Sequence, residues 1–94
     1  MTTCKHDTIR VLVYRDGDAW VAQCIEYDIC AHGADFDSAM RRLTGTVNAE
    51  CRHTLERYGK EFAGIDPAPA VYADWFDAAH QSLHTDNMEL RIAA

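Results

Sequence analysis

Basic residues are scarce in this sequence. Nine Lys and Arg stand against fifteen Asp and Glu, giving a net charge of −6 over 94 residues. Binding to a phosphate backbone needs clustered Lys and Arg, so this balance argues against a nonspecific nucleic-acid binder. A basic partner fits the charge better. Arg41, Arg42, Arg52 and Arg57 share one predicted helix, and we interpret them as an ordinary solvated helix face.

A long apolar run is also missing. No stretch approaches the length that spans a membrane, and the opening residues MTTCKHDT contain no apolar signal-peptide core. We therefore expect no membrane association and a cytoplasmic location, where thiols stay reduced. Cys24, Cys30 and Cys51 occupy apolar positions of the pattern, and we interpret them as small buried hydrophobic residues.

Length and composition predict one globular domain. The chain is 48% hydrophobic and 26% charged, which is typical of a folded protein. We assign residues 1–94 to a single domain, with a core in 9–58 and a C-terminal helix and strand in 69–93. A domain of this size buries only about 60–70% of its unfolded surface. We therefore expect a homo-oligomer, either a dimer or a tetramer.

A hairpin and a third strand are predicted first along the chain. Residues 9–15 alternate apolar side chains on two faces, and residues 19–27 do the same. Asp16 and Gly17 between them favour a tight hairpin turn. Both faces of the hairpin are partly apolar, so we expect one to be covered by a helix and the other to meet a second chain. Residues 29–32 form the third predicted strand.

Helical spacing predicts two helices. Asp35 is a good N-cap and Gly59 a natural stop, and between them an apolar stripe recurs at intervals of three and four: Phe36, Met40, Leu43, Val47, Cys51, Leu55 and Tyr58. Pro67 and Pro69 interrupt regular structure. Residues 70–83 then have helical spacing, and residues 88–92 alternate as a strand.

The predicted fold class is therefore α+β, with the order β-β-β-α-α-β. The three strands form an antiparallel sheet with one face packed by the long helix. A right-handed crossover would place the C-terminal strand parallel to the first strand.

Metal binding, thiol chemistry and simple core packing are alternative explanations of the cysteines and their neighbouring histidines. Cys4 with His6 and Cys30 with His32 could supply two Cys and two His to zinc, but the usual structural spacings are missing. Cys24 or Cys30 could form a nucleophile with His32, although no third orienting group is evident. Core packing explains these cysteines more simply.

Carboxylates were weighed in the same way. Glu26 and Asp28 flank the second connection, while Asp35 and Asp37 begin the long helix. Catalysis with two metal ions needs several convergent carboxylates, and helix capping and solvated turns account for these four. We assign no catalytic residue, metal ligand or cofactor, and expect a non-enzymatic protein.

Residues 20–39, WVAQCIEYDICAHGADFDSA, resemble the N-terminal domain of the HicB family of antitoxins and its stand-alone relatives. The shared features lie within residues 16–39. They are the hairpin turn Asp16-Gly17-Asp18, the aromatic-Val-Ala opening Trp20-Val21-Ala22, Glu26, Gly33, Asp35 and the helix start Asp37-Ser38-Ala39. The Pro-Gly usual between the second and third strands is replaced here by Tyr27-Asp28-Ile29.

The resemblance implies a partial RNase H-like fold, self-association, and in true antitoxins a small basic RNA-cleaving toxin as partner. The helix-turn-helix or ribbon-helix-helix segment of the DNA-binding antitoxins is not evident, which argues against direct DNA binding. The RNase H carboxylates are not at matching positions either.

Our leading hypothesis is a non-enzymatic HicB-like protein-binding module, an antitoxin for a small basic RNase toxin. The alternative is a structural or regulatory homo-oligomer that binds a small ligand at a subunit interface. The predicted partner-binding residues lie on the return strand, the connection after it and the third strand: Trp20, Gln23, Glu26, Tyr27, Asp28 and His32.

Overall fold

Seven elements make up the computed structural model, which describes residues 8–84 and 87–93. In chain order they are β1 (Ile9–Asp16), β2 (Ala19–Cys24), β3 (Cys30–Gly33), α1 (Phe36–Tyr58), α2 (Ala70–Ala78), β4 (Gln81–His84) and β5 (Met88–Ala93). The α+β class is confirmed.

The five strands form one mixed sheet in the order β3-β2-β1-β5-β4. The predicted hairpin is present: β1 and β2 pair antiparallel, and Gly17 has the positive φ of 63° that its turn requires. β3 pairs antiparallel with β2, and β5 lies parallel beside β1 as expected. The prediction of a three-stranded antiparallel sheet with one added strand was incomplete, because β4 extends the sheet beyond β5.

Helix α1 begins and ends where its capping residues predict. The Asp35 carboxylate accepts a hydrogen bond from the Ser38 N–H at 2.7 Å, which satisfies one unpaired donor of the first turn. At the other end Gly59 is left-handed with φ 73°, and its N–H donates to the Leu55 carbonyl at 2.9 Å.

The buried side of α1 differs slightly from the predicted stripe. Its buried residues are Ala39, Leu43, Val47, Cys51 and Thr54. Phe36 and Met40 are half-buried, and Tyr58 is 61% exposed. Close approach to β3 explains the shift, because a Cβ atom at Gly33 would collide with the backbone of Ala39.

The second helix is shorter than predicted. Helical spacing continues to Leu83, but α2 ends at Ala78, and Ala79 is already extended with ψ 137°. Residues 81–84 pair with β5 instead, which places Leu83 opposite Leu90. Backbone pairing with a strand later in the chain therefore outweighs a weak local helical pattern.

Helices cover both faces of the sheet. On one face, α1 packs over a large apolar core, whose buried residues are Ile9, Val11, Val13, Ala22, Cys24, Ile29, Ala31, Ala39, Leu43, Val47, Cys51, Phe62, Met88 and Leu90. On the other, Phe76 of α2 packs with Leu12 and Ile25. The expectation that only one face is covered by helix was wrong, because the second apolar face of the hairpin lies under α2.

Within residues 8–84 and 87–93, neither helix is sufficiently long and apolar to cross a bilayer.

Candidate functional site

The six predicted partner-binding residues do not form one surface. Trp20 lies on the α1 face opposite Gly33, near the start of α1. Its ring is half-buried and meets Phe36 edge to face at 6.1 Å, while Arg15 lies over it at 5.4 Å. Trp20 therefore closes one end of the apolar core, at the far end of β2 from Glu26, Tyr27 and Asp28.

Four of the six gather where β2 leads into β3. The buried Gln23 side chain donates through Nε2 to the Cys24 carbonyl at 3.0 Å and to the Asp28 carboxylate at 3.1 Å. Tyr27 stacks on Phe62 with ring centroids 4.0 Å apart. A buried polar side chain needs such partners, so Gln23 holds the connection in place and is not itself available to a partner.

The segment after α1 completes this end of the sheet. The Asp28 N–H donates to the Asp66 carbonyl at 2.7 Å, and the Ala68 N–H donates to the Ile25 carbonyl at 3.1 Å. Asp28 and Asp66 are both exposed. We call this pair the acidic turn. Sequence reasoning had found Asp28 but missed Asp66, because the two are far apart along the chain.

Glu26 lies at the edge of the acidic turn and is already paired. Its carboxylate accepts from the Arg10 side chain at 2.6 Å and from the Arg10 N–H at 2.8 Å. Both side chains are about one-third exposed, at 39% and 31%. A pair in such contact with solvent contributes modest stability, so its main effect is to fix Glu26 on β1.

His32 is exposed on β3, an edge strand of the sheet. Its carbonyl accepts a hydrogen bond from the Arg42 guanidinium of α1 at 3.0 Å. Register places His32 opposite Val21 and Cys30 opposite Gln23, so both lie on the α2 face. Cys24 is opposite Val11 and lies on the α1 face. The Cys24–His32 nucleophile is therefore ruled out by the pleat of the sheet, which separates the two side chains.

The cysteines differ more than the sequence suggested. Burial raises the pKa of the free Cys24 thiol to about 12, which keeps it protonated. Cys30 is also free but exposed, so its interpretation as a buried hydrophobic residue was wrong. Cys51 is buried as expected but disulfide-bonded, against the expectation of reduced thiols.

Three of the four carboxylates considered for catalysis are held by separate partners. The Asp35 carboxylate caps α1 by accepting a hydrogen bond from the Ser38 N–H. This bond holds the pKa of Asp35 below its ordinary value. Glu26 pairs with Arg10, and Asp28 accepts from Gln23. Residues 8–84 and 87–93 contain no group of three or more His, Cys, Asp and Glu placed to hold a metal ion. Cys4 and His6 lie outside these ranges.

An arrangement on the α2 face was not predicted. Two guanidinium groups lie over the ring of Phe76, that of Arg10 at 5.7 Å and that of Arg91 at 4.6 Å. Arg91 also donates to the carbonyls of Phe76, Asp77 and Ala79, which end α2. Sequence alternation placed Arg91 only within the predicted strand of residues 88–92. Helix C-termini commonly attract such a cation.

Two open depressions lie beside β4. One, of about 490 Å³, separates α1 from β4 and β5, and we call it the β4–β5 groove; its lining residues are Phe36, Met40, Arg41, Thr44, Leu83, Asn87, Met88 and Leu90. The other, of about 500 Å³, lies beside Trp75 and Ile92. Neither is lined by Trp20 or Tyr27.

Comparison with known proteins finds no matching family model, no matching curated protein and no matching solved structure.

Proposed function

We propose that this chain is a non-enzymatic, self-associating protein-binding module of the HicB-like class, an antitoxin that neutralises a small basic RNase toxin. The observation that supports a basic partner is the acidic turn. Asp28 and Asp66 are exposed, and a 2.7 Å backbone hydrogen bond joins their segments. This bond fixes the backbone beneath both residues, so on binding a cation the turn has little backbone freedom left to lose.

The surroundings of the acidic turn support the same proposal. Gln23 donates to the Asp28 carboxylate, and the neighbouring Tyr27 stacks on Phe62. These two contacts position the connection that carries Asp28. The net charge of −6 extends the attraction beyond direct contact, which favours fast association with a positively charged protein. The HicB resemblance supplies the class of partner.

Co-expression with the product of the neighbouring open reading frame tests this function. We expect that product to be toxic alone, to co-purify with the chain and to lose its toxicity in the complex. The double variant Asp28→Asn and Asp66→Asn should weaken the complex, while its amide at position 28 can still accept from Gln23.

A matched control has the same change in charge elsewhere. Asp74→Asn with Asp77→Asn removes two exposed carboxylates from α2, and should leave affinity much closer to that of the unmodified chain. Equal loss in both double variants would assign the effect to net charge alone. A neighbour that is neither toxic nor bound would end the antitoxin proposal.

A small ligand at a subunit interface is the second candidate, and the depression beside Trp75 favours it. Trp75 is 40% exposed, and its ring lies 4.6 Å from that of Tyr14, tilted by 39°. Burial and a hydrogen bond with Tyr72 raise the pKa of Tyr14 to about 12, so this tyrosine stays neutral. Screening small aromatic compounds against Trp20→Phe, which leaves Trp75 as the fluorescent reporter, tests this candidate. No saturable change in emission would count against it.

A further inference from the structure

The two edges of the sheet differ in how they are protected. At β3, Arg42 of α1 donates to the His32 carbonyl at 3.0 Å, so a neighbouring helix already occupies that acceptor. At β4, all four residues are exposed, and in the part of the chain that the structure describes this strand pairs only with β5. An unoccupied row of backbone donors and acceptors is a template for another strand.

Strand β4 also lacks the usual defences of a sheet edge. Its sequence Gln-Ser-Leu-His contains no Lys, Glu, Asp or Pro, the residues that commonly keep an edge from pairing. Leu83 is 50% exposed and lies on the α1 face opposite Leu90, at the rim of the β4–β5 groove. Leaving this apolar side chain in water is unfavourable.

We propose that β4 is the contact edge of a two-fold symmetric homodimer, in which β4 pairs antiparallel with β4 of a second copy and the two Leu83 side chains meet. This inference rests on the self-association in the proposed function and names the surface that mediates it. The product is one continuous ten-stranded sheet.

Symmetry makes the second copy a good fit for this edge. Antiparallel pairing places the two-fold axis perpendicular to the sheet, so the α1 faces of both copies lie on the same side. With Leu83 opposite its equivalent, Ser82 of each copy lies opposite His84 of the other. Both of these residues lie on the α2 face, so apolar meets apolar and polar meets polar.

Charge is consistent with this choice of partner. Two chains of net charge −6 repel at long range, and the described β4 strand brings no carboxylate into the shared edge. The β4–β5 groove beside this edge is lined by the basic residue Arg41, so the surface next to β4 adds no negative charge there. A contact built on one short strand buries less area than a standard interface, so we expect a concentration-dependent dimer.

Sedimentation velocity over a concentration series tests the proposal on the whole chain. Leu83→Lys places two like charges opposite each other across the axis, and should weaken the dimer by about tenfold or more. Val71→Lys is the matched control, since Val71 is an apolar residue 64% exposed on α2. It should dimerise as the unmodified chain does. Circular dichroism of both variants checks that they are folded.

Mixing two variants tests the symmetry itself. Leu83→Lys and Leu83→Glu should each dimerise more weakly alone than the unmodified chain, and their equimolar mixture should recover the dimer because opposite charges then face each other. A mixture that stays monomeric overturns the pairing about Leu83. A dimer unaffected by Leu83→Lys overturns this interface alone, whereas an unmodified chain that is monomeric at every concentration also ends the proposed self-association.

Discussion

The two faces of the sheet are covered in different ways. On the α1 face, a 23-residue helix buries a continuous apolar cluster. On the α2 face, a nine-residue helix buries one ring, that of Phe76, and the guanidinium groups of Arg10 and Arg91 lie over it. Burial of apolar area dominates the first face, while directional contacts to charged groups position the second helix.

This difference indicates how a short helix can be held without a large core. Helix α2 lacks a side-chain cap at its start, and nine residues are marginal as an isolated helix. Arg91 compensates at its other end by donating to three terminal carbonyls. The α2 face should therefore respond to loss of a specific contact, and the α1 face to loss of volume.

Thiol reactivity should give the largest contrast between the faces. Cys24 lies in the α1-face core with a pKa of about 12 against an ordinary 9.0, which lowers its thiolate fraction roughly a thousandfold. Exposed Cys30 should be alkylated first. Site-resolved mass spectrometry measures both rates, with Cys30→Ser as control. Equal rates in the folded protein would contradict the burial of Cys24.

The raised pKa of Cys24 also has a consequence for stability. The pKa of the Cys24 thiol is higher in the folded than in the unfolded chain. Its contribution to the free energy of unfolding is therefore fully present below about pH 9. It is lost as pH rises from about 9 towards 12, because only the unfolded chain then releases the proton. Urea unfolding of Cys24→Ala should have a flatter alkaline profile than the unmodified chain.

Removing volume from the α1 face should cause the largest loss of stability. Leu43 of α1 is fully buried in the core between α1 and the sheet. Leu43→Ala should lower the free energy of unfolding by about 2–5 kcal/mol. Urea denaturation measures the change. A loss below 1 kcal/mol would mean that the helix repacks easily, contrary to a close-packed core.

Loss of one buried hydrogen bond on the α1 side should have a smaller effect. The Thr54 hydroxyl accepts from the Phe62 N–H at 2.7 Å in a buried site. Thr54→Val keeps the shape but removes this acceptor, at about 1–3 kcal/mol. Thr46→Val is the control, because the hydroxyl of exposed Thr46 donates to the Arg42 carbonyl four residues earlier, just as the Thr54 hydroxyl donates to the Glu50 carbonyl. Equal effects would contradict a special role for Thr54.

On the α2 face, removing the aromatic ring while keeping apolar bulk should be milder. Phe76→Leu loses the contacts with Arg10 and Arg91, at about 1–2 kcal/mol. Hydrogen exchange should show faster opening of α2 than of α1. Uniform acceleration in both helices would indicate that the two faces unfold as one unit.

The smallest expected effect is that of Glu26→Gln. Its pair with Arg10 is partly exposed, so its loss should cost less than about 1 kcal/mol and shrink as salt is added. Unfolding at low and high ionic strength measures this. An undiminished loss in high salt would show that the Arg10–Glu26 contact is more shielded from water than its exposure suggests.

Local chemistry made part of the fold predictable. The Asp-Gly hairpin, the Asp35 cap and the Gly59 stop act within a few residues, and all three are confirmed. Strand β4 was missed because it forms only by pairing with the backbone of β5, whereas residues 81–84 alone continue a helical pattern. The acidic turn was half predicted, since Asp66 reaches Asp28 only through the folded connector.

The sequence by itself determined the hairpin, both ends of α1 and the acidic charge balance, because these depend on neighbouring residues and composition. Only the tertiary structure decided where α2 stops, that Arg10 and Arg91 both lie over the Phe76 ring, and that β4 forms an exposed edge. Those features depend on contacts between residues distant in sequence, whose free energy exists only once the chain has brought them together.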